Sequence, residues 1–283
     1  MTIDDKGWFT EVCEDAGTAF SLKTSRKLHQ EQTPYQRIEI FETEQFGSLM
    51  VIDGFIMLSG RDNFIYHEML AHPALFTHPD PKNVLIIGGG DCGTLREVLN
   101  HEGVGRVQQV EIDERVTRLA EQYFPELCVA NNDSRAELHF DDGIRWVKAA
   151  SAGQYDVIIV DSTDPIGPAE GLFSEPFYRD CYAALGDDGI LVQQSESPLL
   201  HQSIINDMRS AMRRAGFEQA QMLGFPQCVY PSGWWSATMA ANRPLGHFRE
   251  DDASNKTFAT RYYNSAIHRA AMALPEFMRQ VLK

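Results

Sequence analysis

From Lys82 onward the chain alternates short apolar runs with stretches whose apolar residues recur at helical spacing. The runs Val84–Ile87, Arg106–Ile112, Glu137–Phe140, Asp156–Val160 and Ile190–Gln193 read as buried strands. Between them, Thr94–Asn100, Glu114–Tyr123, Ile144–Ala150 and Pro176–Leu185 read as helices, the last opened by Ser174 and Pro176. A longer helix is predicted from about Leu199 to Ala215, closed by Gly216, followed by a strand pair at Phe217–Leu223 and Trp234–Ala240. Such alternation specifies an α/β fold, a doubly wound parallel sheet with helices on both faces. Residues 1 to 60 have a different pattern. Leu49–Ile52 and Phe55–Leu58 flank Asp53-Gly54, a strong hairpin signal, so this part is expected to be a small antiparallel β domain ahead of a larger domain over 61–283. Asp62 is expected to cap a helix through Phe64, Ile65, Met69 and Leu70 that Pro73 breaks or kinks.

The stretch that organises the chain is Val84–Ile87 followed by Gly88-Gly89-Gly90-Asp91-Cys92-Gly93 and a helix opening at Thr94. Gly88, Gly90 and Gly93 meet the G-x-G-x-x-G spacing with a strand before and a helix after, where glycine permits a tight turn and close approach of a ligand. Asp91 would repel a pyrophosphate, so the loop suits a cationic ligand better than a dinucleotide.

Composition narrows the classes. The 283 residues carry a formal net charge of -15, which argues against nucleic acid and is compatible with cationic ligands, although acidic proteins are common. No apolar run approaches the ~20 residues that span a bilayer, and the N-terminus has no signal-peptide pattern, so a cytoplasmic protein is expected. The five cysteines are scattered without a C-x-x-C pair and read as reduced thiols, with Cys92 alone expected near a ligand.

Ligands of such sheets bind beyond the carboxyl ends of the strands. Acids stand there throughout: Asp91, Glu111, Asp141-Asp142, Asp161, and Glu196 beside Gln194. One Asp at such a turn is ordinarily a helix cap, the reading for Asp113; a whole series is harder to explain that way. Glu111 lies 18 residues beyond Gly93, near the ~20 expected of an acid on ribose hydroxyls. Asp142 can accept from an exocyclic amine. Asp161 and Asp164, in a loop stiffened by Pro165 and Pro168, can hold a diammonium chain or share a proton. No metal site is expected, since His67, His72 and His78 lack ligand spacing. Trp234-Trp235 reads as core or rim before ligand cage.

Over nearly its whole length the sequence resembles the spermidine synthases, the polyamine aminopropyltransferases. The resemblance rests on Trp8-Phe9, Tyr35-Gln36, Val51–Gly54, Arg61–Met69, Val84–Asp91, Glu111–Asp113, Asp142-Gly143, Asp161–Glu170, Tyr230–Gly233 and Arg261–Ala271. The Asp161–Glu170 loop and the Tyr262-Tyr263-Asn264 segment are specific to that family; the glycine loop is shared with many methyltransferases. The resemblance implies a Rossmann-like, methyltransferase-type sheet, no permanently bound cofactor, and decarboxylated S-adenosylmethionine as co-substrate. It implies that Glu111 binds the ribose, Asp142 and Gly143 the adenine, with Gln36 and Pro168 on the nucleoside side, and Asp91 the amine of the aminopropyl arm. Asp161 would be the general base, and Asp164, Tyr66, His67 and Tyr230 would position the acceptor, putrescine. An ammonium near pKa 10.4 lies ~6.5 units above an ordinary Asp, so direct proton transfer would cost about 9 kcal/mol and Asp161 cannot simply strip it. A homodimer or homotetramer is expected, again by resemblance.

Departures from the family pattern are Cys92 in place of glycine, Met57 where glutamine is common, and Phe225–Val229 ahead of Tyr230. These make the acceptor the open question: putrescine, or cadaverine, agmatine or a longer polyamine. Two rival classes are a diamine N-methyltransferase using S-adenosylmethionine and a non-catalytic polyamine-binding protein. Asp91, without a basic partner for a carboxylate in its loop, opposes the first; retention of both the nucleoside residues and Asp161 opposes the second.

Overall fold

A computed structural model describes residues 7–165 and 167–282. The N-terminal part is a meander of β1 (Trp8–Cys13), β2 (Thr18–Gln32), β3 (Arg37–Thr43), β4 (Ser48–Ile52) and β5 (Phe55–Ser59), antiparallel throughout and in sequential order. Asp53 and Gly54 form the β4–β5 turn with both φ values positive, the backbone that a tight two-residue hairpin requires. Side chains alternate along β4: Met50 and Ile52 face one way, Leu49 and Val51 the other, and both sets are buried.

Then follow α1 (Asn63–Thr77), β6 (Asn83–Gly88), α2 (Gly93–Leu99), β7 (Arg106–Glu111), α3 (Glu114–Tyr123), β8 (Ala136–Phe140), α4 (Gly143–Lys148), β9 (Tyr155–Asp161), α5 (Glu175–Ala184), β10 (Leu185–Gln194), α6 (Gln202–Ala215), β11 (Gln219–Pro226) and β12 (Trp234–Ala241). Short helices α7 (Glu250–Ser254), α8 (Ser265–Ala271) and α9 (Glu276–Val281) complete the chain. The seven-stranded sheet runs β11-β12-β10-β9-β6-β7-β8. It is parallel from β10 to β8, while β12 lies antiparallel between β10 and β11. Val84 and Ile86 pack on one face with α1 and α2, Leu85 and Ile87 on the other with α5 and α6. Burial on both faces is why these strands read as continuous apolar runs. The N-terminal sheet lays Ile38, Ile40, Met50 and Ile52 over Val116, Leu119 and Ala120 of α3, which places the β4–β5 hairpin beside the ends of the parallel strands.

Two local expectations need correction. Asp62 occupies the N-cap position of α1, but its carboxylate accepts from the Ser59 hydroxyl at 2.6 Å and from Val229 N–H at 3.3 Å, so it ties the meander to a late loop. Pro73 does not break α1, which runs on to Thr77 with nearly every residue buried; packing on all sides outweighs the lost hydrogen bond. The start of α6 at Gln202, three residues after Leu199, has a physical cause: the Ser197 hydroxyl holds Leu199 and Leu200 in a turn.

Buried Glu68 on α1 accepts backbone N–H groups of Arg261, Tyr262 and Tyr263 at 2.8, 2.9 and 2.7 Å. The Arg261 guanidinium lies 3.7 Å over the Phe64 ring. The Tyr-Tyr-Asn segment is thus a clamp that docks the C-terminal helices on α1.

Candidate active site

A cavity of about 220 Å³ opens where β6, β9 and β7 end, between the glycine loop and the β4–β5 hairpin. It lies at the point where the strand order reverses, with β7 on one side of β6 and β9 on the other. Gln36, Tyr66, Asp91, Glu111, Asp142, Gly143, Asp161, Asp164 and Tyr230 all line it, as does Met57. A side chamber of about 40 Å³ continues past Asp164 and Tyr230 to Glu11 and Trp235. Pro168 lies in a 3-10 turn, Gly167–Phe173, and its side chain is outside the described residues.

The glycines serve the protein's own packing as much as any ligand. A Cβ at Gly88 would meet the Asp161 carbonyl at 2.2 Å, one at Gly90 the Glu111 carboxylate at 2.8 Å, and one at Gly93 the His67 ring at 2.2 Å. Gly89 N–H donates to the Asp161 carbonyl at 2.7 Å. The loop is therefore fixed directly to the strand end that carries Asp161.

Each carboxylate has its own environment. Asp161 accepts from Tyr66 Oη at 2.8 Å and Thr94 Oγ1 at 2.6 Å. Burial and then the neighbouring Asp91 charge raise its pKa to about 6, against His67 and the two hydroxyls, which lower it. Asp91 is buried too, but His67, 3.2 Å away through Nε2, and the Gly93 N–H at 2.7 Å hold its carboxyl below the usual range. Glu111 is pushed up to about 7 chiefly by burial, with Asp113 N–H donating to it at 2.9 Å. Asp113 caps α3 as expected, accepts from Thr33 Oγ1, and holds Gln36 Nε2 at 3.1 Å. Asp142 caps α4 through one oxygen, which accepts from Ile144 and Arg145 N–H.

His67 sits behind Asp91, fully buried, and is not part of the cavity wall. Its edge meets Tyr66, and the small Gly93 leaves it room to reach Asp91, so it bears on the cavity through those two residues. Burial, and then the charge of Glu196 two residues past β10, push the Asp164 carboxyl well above the usual range. Cys92 is also displaced from its expected place. At φ +67 its thiol turns inward toward Gly90 O and Gln109 and away from the cavity, so a left-handed residue sits where glycine is customary without narrowing the site. Of Phe225–Val229, Phe225 packs edge-on to Tyr66, 6.3 Å between centroids, and the segment supports the wall from behind. Trp235 is both core and wall of the side chamber, 4.8 Å from the Tyr230 ring.

Residues the sequence reading passed over are Glu11, Thr94 and His201. Thr94 is the first residue after the glycine loop, a position from which a hydroxyl reaches the next strand end. Glu11 comes from β1, takes the Ile56 N–H at 2.7 Å, and is raised to about 7 by burial. No local motif marks it; only the packing of the meander brings it to the chamber. Among the described residues no cluster of potential ligands fits a metal ion.

The chain matches the family model described as spermine/spermidine synthase domain over residues 63–250, most of its length. The chain belongs to the spermidine synthase family. A second model of that family, the spermidine synthase tetramerisation domain, matches residues 7–60. The polyamine aminopropyltransferase of Nitrosococcus oceani is 67% identical over 280 residues, 99% of this chain and 98% of that one. That of Methylococcus capsulatus is 64% identical over the same shares of each chain. A crystal structure of a spermidine synthase in complex with the transition-state analogue AdoDATO superposes with TM-score 0.94 at 36% identity, covering 99% of this chain and 96% of that one. The spermidine synthase of Thermotoga maritima superposes with TM-score 0.92, also at 36% identity, over 99% and 95% of the two chains. The family's enzymes are aminopropyltransferases, and the methyltransferase-type sheet with its small β meander is their fold.

Proposed function

We propose that this aminopropyltransferase moves the aminopropyl group of decarboxylated S-adenosylmethionine to putrescine, giving spermidine and 5′-methylthioadenosine. The observation that carries the reading is the order of carboxylates along one cavity: Glu111 and Asp142 at one end, Asp91 and Asp161 in the middle, Asp164 and Glu11 at the other. A ligand pair made of a nucleoside, a sulfonium, an aminopropyl ammonium and a diamine has matching needs in the same order. Glu111 takes the ribose hydroxyls. Asp142, with its uncapping oxygen free, and Gly143 take the adenine, while Gln36 and Pro168 flank the nucleoside. Asp91 takes the arm's ammonium, and His67 orients it. Tyr66 and Tyr230 wall the acceptor, and Asp164 faces its distal ammonium.

The reaction is an in-line displacement on the carbon next to sulfur. Asp161, held by Tyr66 and Thr94, is the base. With its carboxyl at about 6, the gap to an ammonium near 10.4 is still about 4 units, or about 6 kcal/mol. The proton therefore leaves in step with carbon–nitrogen bond formation, as the amine becomes more acidic. Approach of a sulfonium and an ammonium also favours the ionised form of Asp161. The chain works as a homodimer or homotetramer, a reading supported by the tetramerisation-domain match; five free thiols and the absence of a membrane-spanning helix among the described residues fit the cytoplasm.

The test is incubation of the purified protein with putrescine and either decarboxylated or intact S-adenosylmethionine, read by mass spectrometry. Spermidine and methylthioadenosine with the decarboxylated form alone are expected. Methylputrescine with the intact form would overturn the assignment and the role given to Asp91.

A further inference from the structure

Outside the cavity wall, a thiol, an imidazole and a carboxylate stand in series, and the reaction uses none of them. Cys13 ends β1, and its Sγ lies 3.8 Å from Nε2 of His201, the residue ahead of α6 and 188 positions away in the chain. The other ring nitrogen, Nδ1, is 2.7 Å from Oε2 of Glu196. Glu196 is 1% exposed and fixed through its backbone: its N–H donates to Gln194 Oε1 at 3.2 Å, and its carbonyl accepts the Ser236 hydroxyl at 2.9 Å. Its φ is +66, a value that residues other than glycine rarely adopt, and such strain gathers where a geometry is held for a purpose. The His201 ring meets Trp235 edge-on, 6.3 Å between centroids. A carboxylate on Nδ1 takes that proton and leaves the Nε2 lone pair for the thiol. A nucleophile, a base and a group that orients the base make up the arrangement that activates a cysteine. Cys13 is half-buried and lines an open groove of about 400 Å³ together with Glu11, Phe20 and Cys228. Among the described residues, no other cysteine sulfur has a histidine as hydrogen-bond partner.

We propose that Cys13, with His201 and Glu196 behind it, is a site of thiol–disulfide exchange that takes small disulfides from the groove. His201 Nε2 accepts the thiol proton. The thiolate attacks one sulfur of the disulfide, a bond forms between that sulfur and Cys13 Sγ, and the S–S bond of the reagent breaks. The departing thiolate takes the proton from His201 and leaves as a thiol. The disulfide is the oxidant, so one disulfide and one thiol become one mixed disulfide and one thiol. Glu11 lines the groove and no basic side chain does, which favours a disulfide that carries ammonium groups. The step is separate from aminopropyl transfer and does not depend on the acceptor assigned above.

The experiment treats the full-length protein with cystamine, the disulfide of 2-aminoethanethiol, at about pH 7 and follows the mixed disulfide at each of the five cysteines by peptide mass spectrometry. Cys228 is the internal reference, because it lines the same groove and is the more exposed of the two. Exposure alone would have Cys228 react first. Cys13 is expected to react about tenfold faster than Cys228 in the wild-type protein. His201→Asn is expected to slow Cys13 about tenfold and Cys228 by less than about twofold, and Glu196→Gln to slow Cys13 about threefold. Cys228 reacting as fast as Cys13, or His201→Asn slowing both cysteines alike or neither, would each overturn the proposal. So would a Glu196→Gln protein whose Cys13 reacts at the wild-type rate. The comparison of the two cysteines in the wild-type protein needs no variant, so it decides the matter even where a variant does not fold. Spermidine formation is not the readout, so failure of the acceptor assignment and failure of this proposal are told apart.

Discussion

Gly93→Ala tests the pairing on which the arm-binding carboxylate depends. The added methyl would lie 2.2, 2.3 and 2.6 Å from Cε1, Nδ1 and Nε2 of His67. The ring cannot yield easily: it is 1% exposed and meets Tyr66 edge-on at 5.6 Å. Overpacking of this kind costs about 1–3 kcal/mol, and a clash with a whole ring edge belongs at the upper end. Gly93 is the first residue of α2, so alanine there returns at most about 1 kcal/mol. The net expectation is a loss of about 2 kcal/mol, read as a lower urea midpoint with an unchanged slope. Displacing His67 also leaves Asp91 with the Gly93 N–H as its remaining close partner, so binding of decarboxylated S-adenosylmethionine should weaken about tenfold while that of methylthioadenosine, which lacks the arm, should not. The decisive assay is a double-mutant cycle with His67→Ala, which clears the space for the methyl. The stability losses should then be far from additive, the double variant being little worse than His67→Ala alone. Additive losses, or a Gly93→Ala protein as stable as the wild type, would refute the claim that this glycine exists to admit the imidazole.

Tyr66→Phe removes one of the two hydroxyls that stabilise ionised Asp161, so the Asp161 pKa should rise further and the acid limb of the kcat profile should move to higher pH, with activity at pH 6 falling more than at pH 8. Glu68→Ala removes the acceptor of three backbone N–H groups of 261–263, of which that of Tyr263 is buried; a loss of about 2–3 kcal/mol is expected, with new protease cleavage ahead of α8. Cys92→Gly should leave the KM of both substrates unchanged, because the thiol turns away from the cavity, and measured substrate constants decide it.

The sheet was legible because its strands are buried on both faces, so Val84–Ile87 and Asp156–Val160 show as bare apolar runs between caps and glycines. The Asp53-Gly54 turn and the Asp113 and Ser174 caps were legible for a related reason: each is fixed by chemistry within a few residues. What the sequence hid is what tertiary packing decides. Strand-end position placed Asp91, Asp161 and Glu111 at the cavity, but it could not say that His67 stands behind Asp91 or that the Thr94 hydroxyl reaches Asp161. Those relations depend on how α1 and α2 pack on the sheet, across separations that no local pattern records. Glu11 was invisible for the same reason, reaching the chamber through a meander whose register with α3 is set by side chains far away in the chain.

The Glu68 clamp orders events during synthesis. Every group assigned to catalysis is in place by Tyr230, yet the anchor on α1 waits for Arg261–Tyr263, which leave the ribosome later. Until they arrive, a carboxylate set in the middle of the core has no partner for its charge. A chain cut short by premature termination would thus hold a complete reaction centre on a destabilised scaffold, open to the proteases that clear unfinished products. Translation through Tyr263 itself becomes a condition of a stable enzyme.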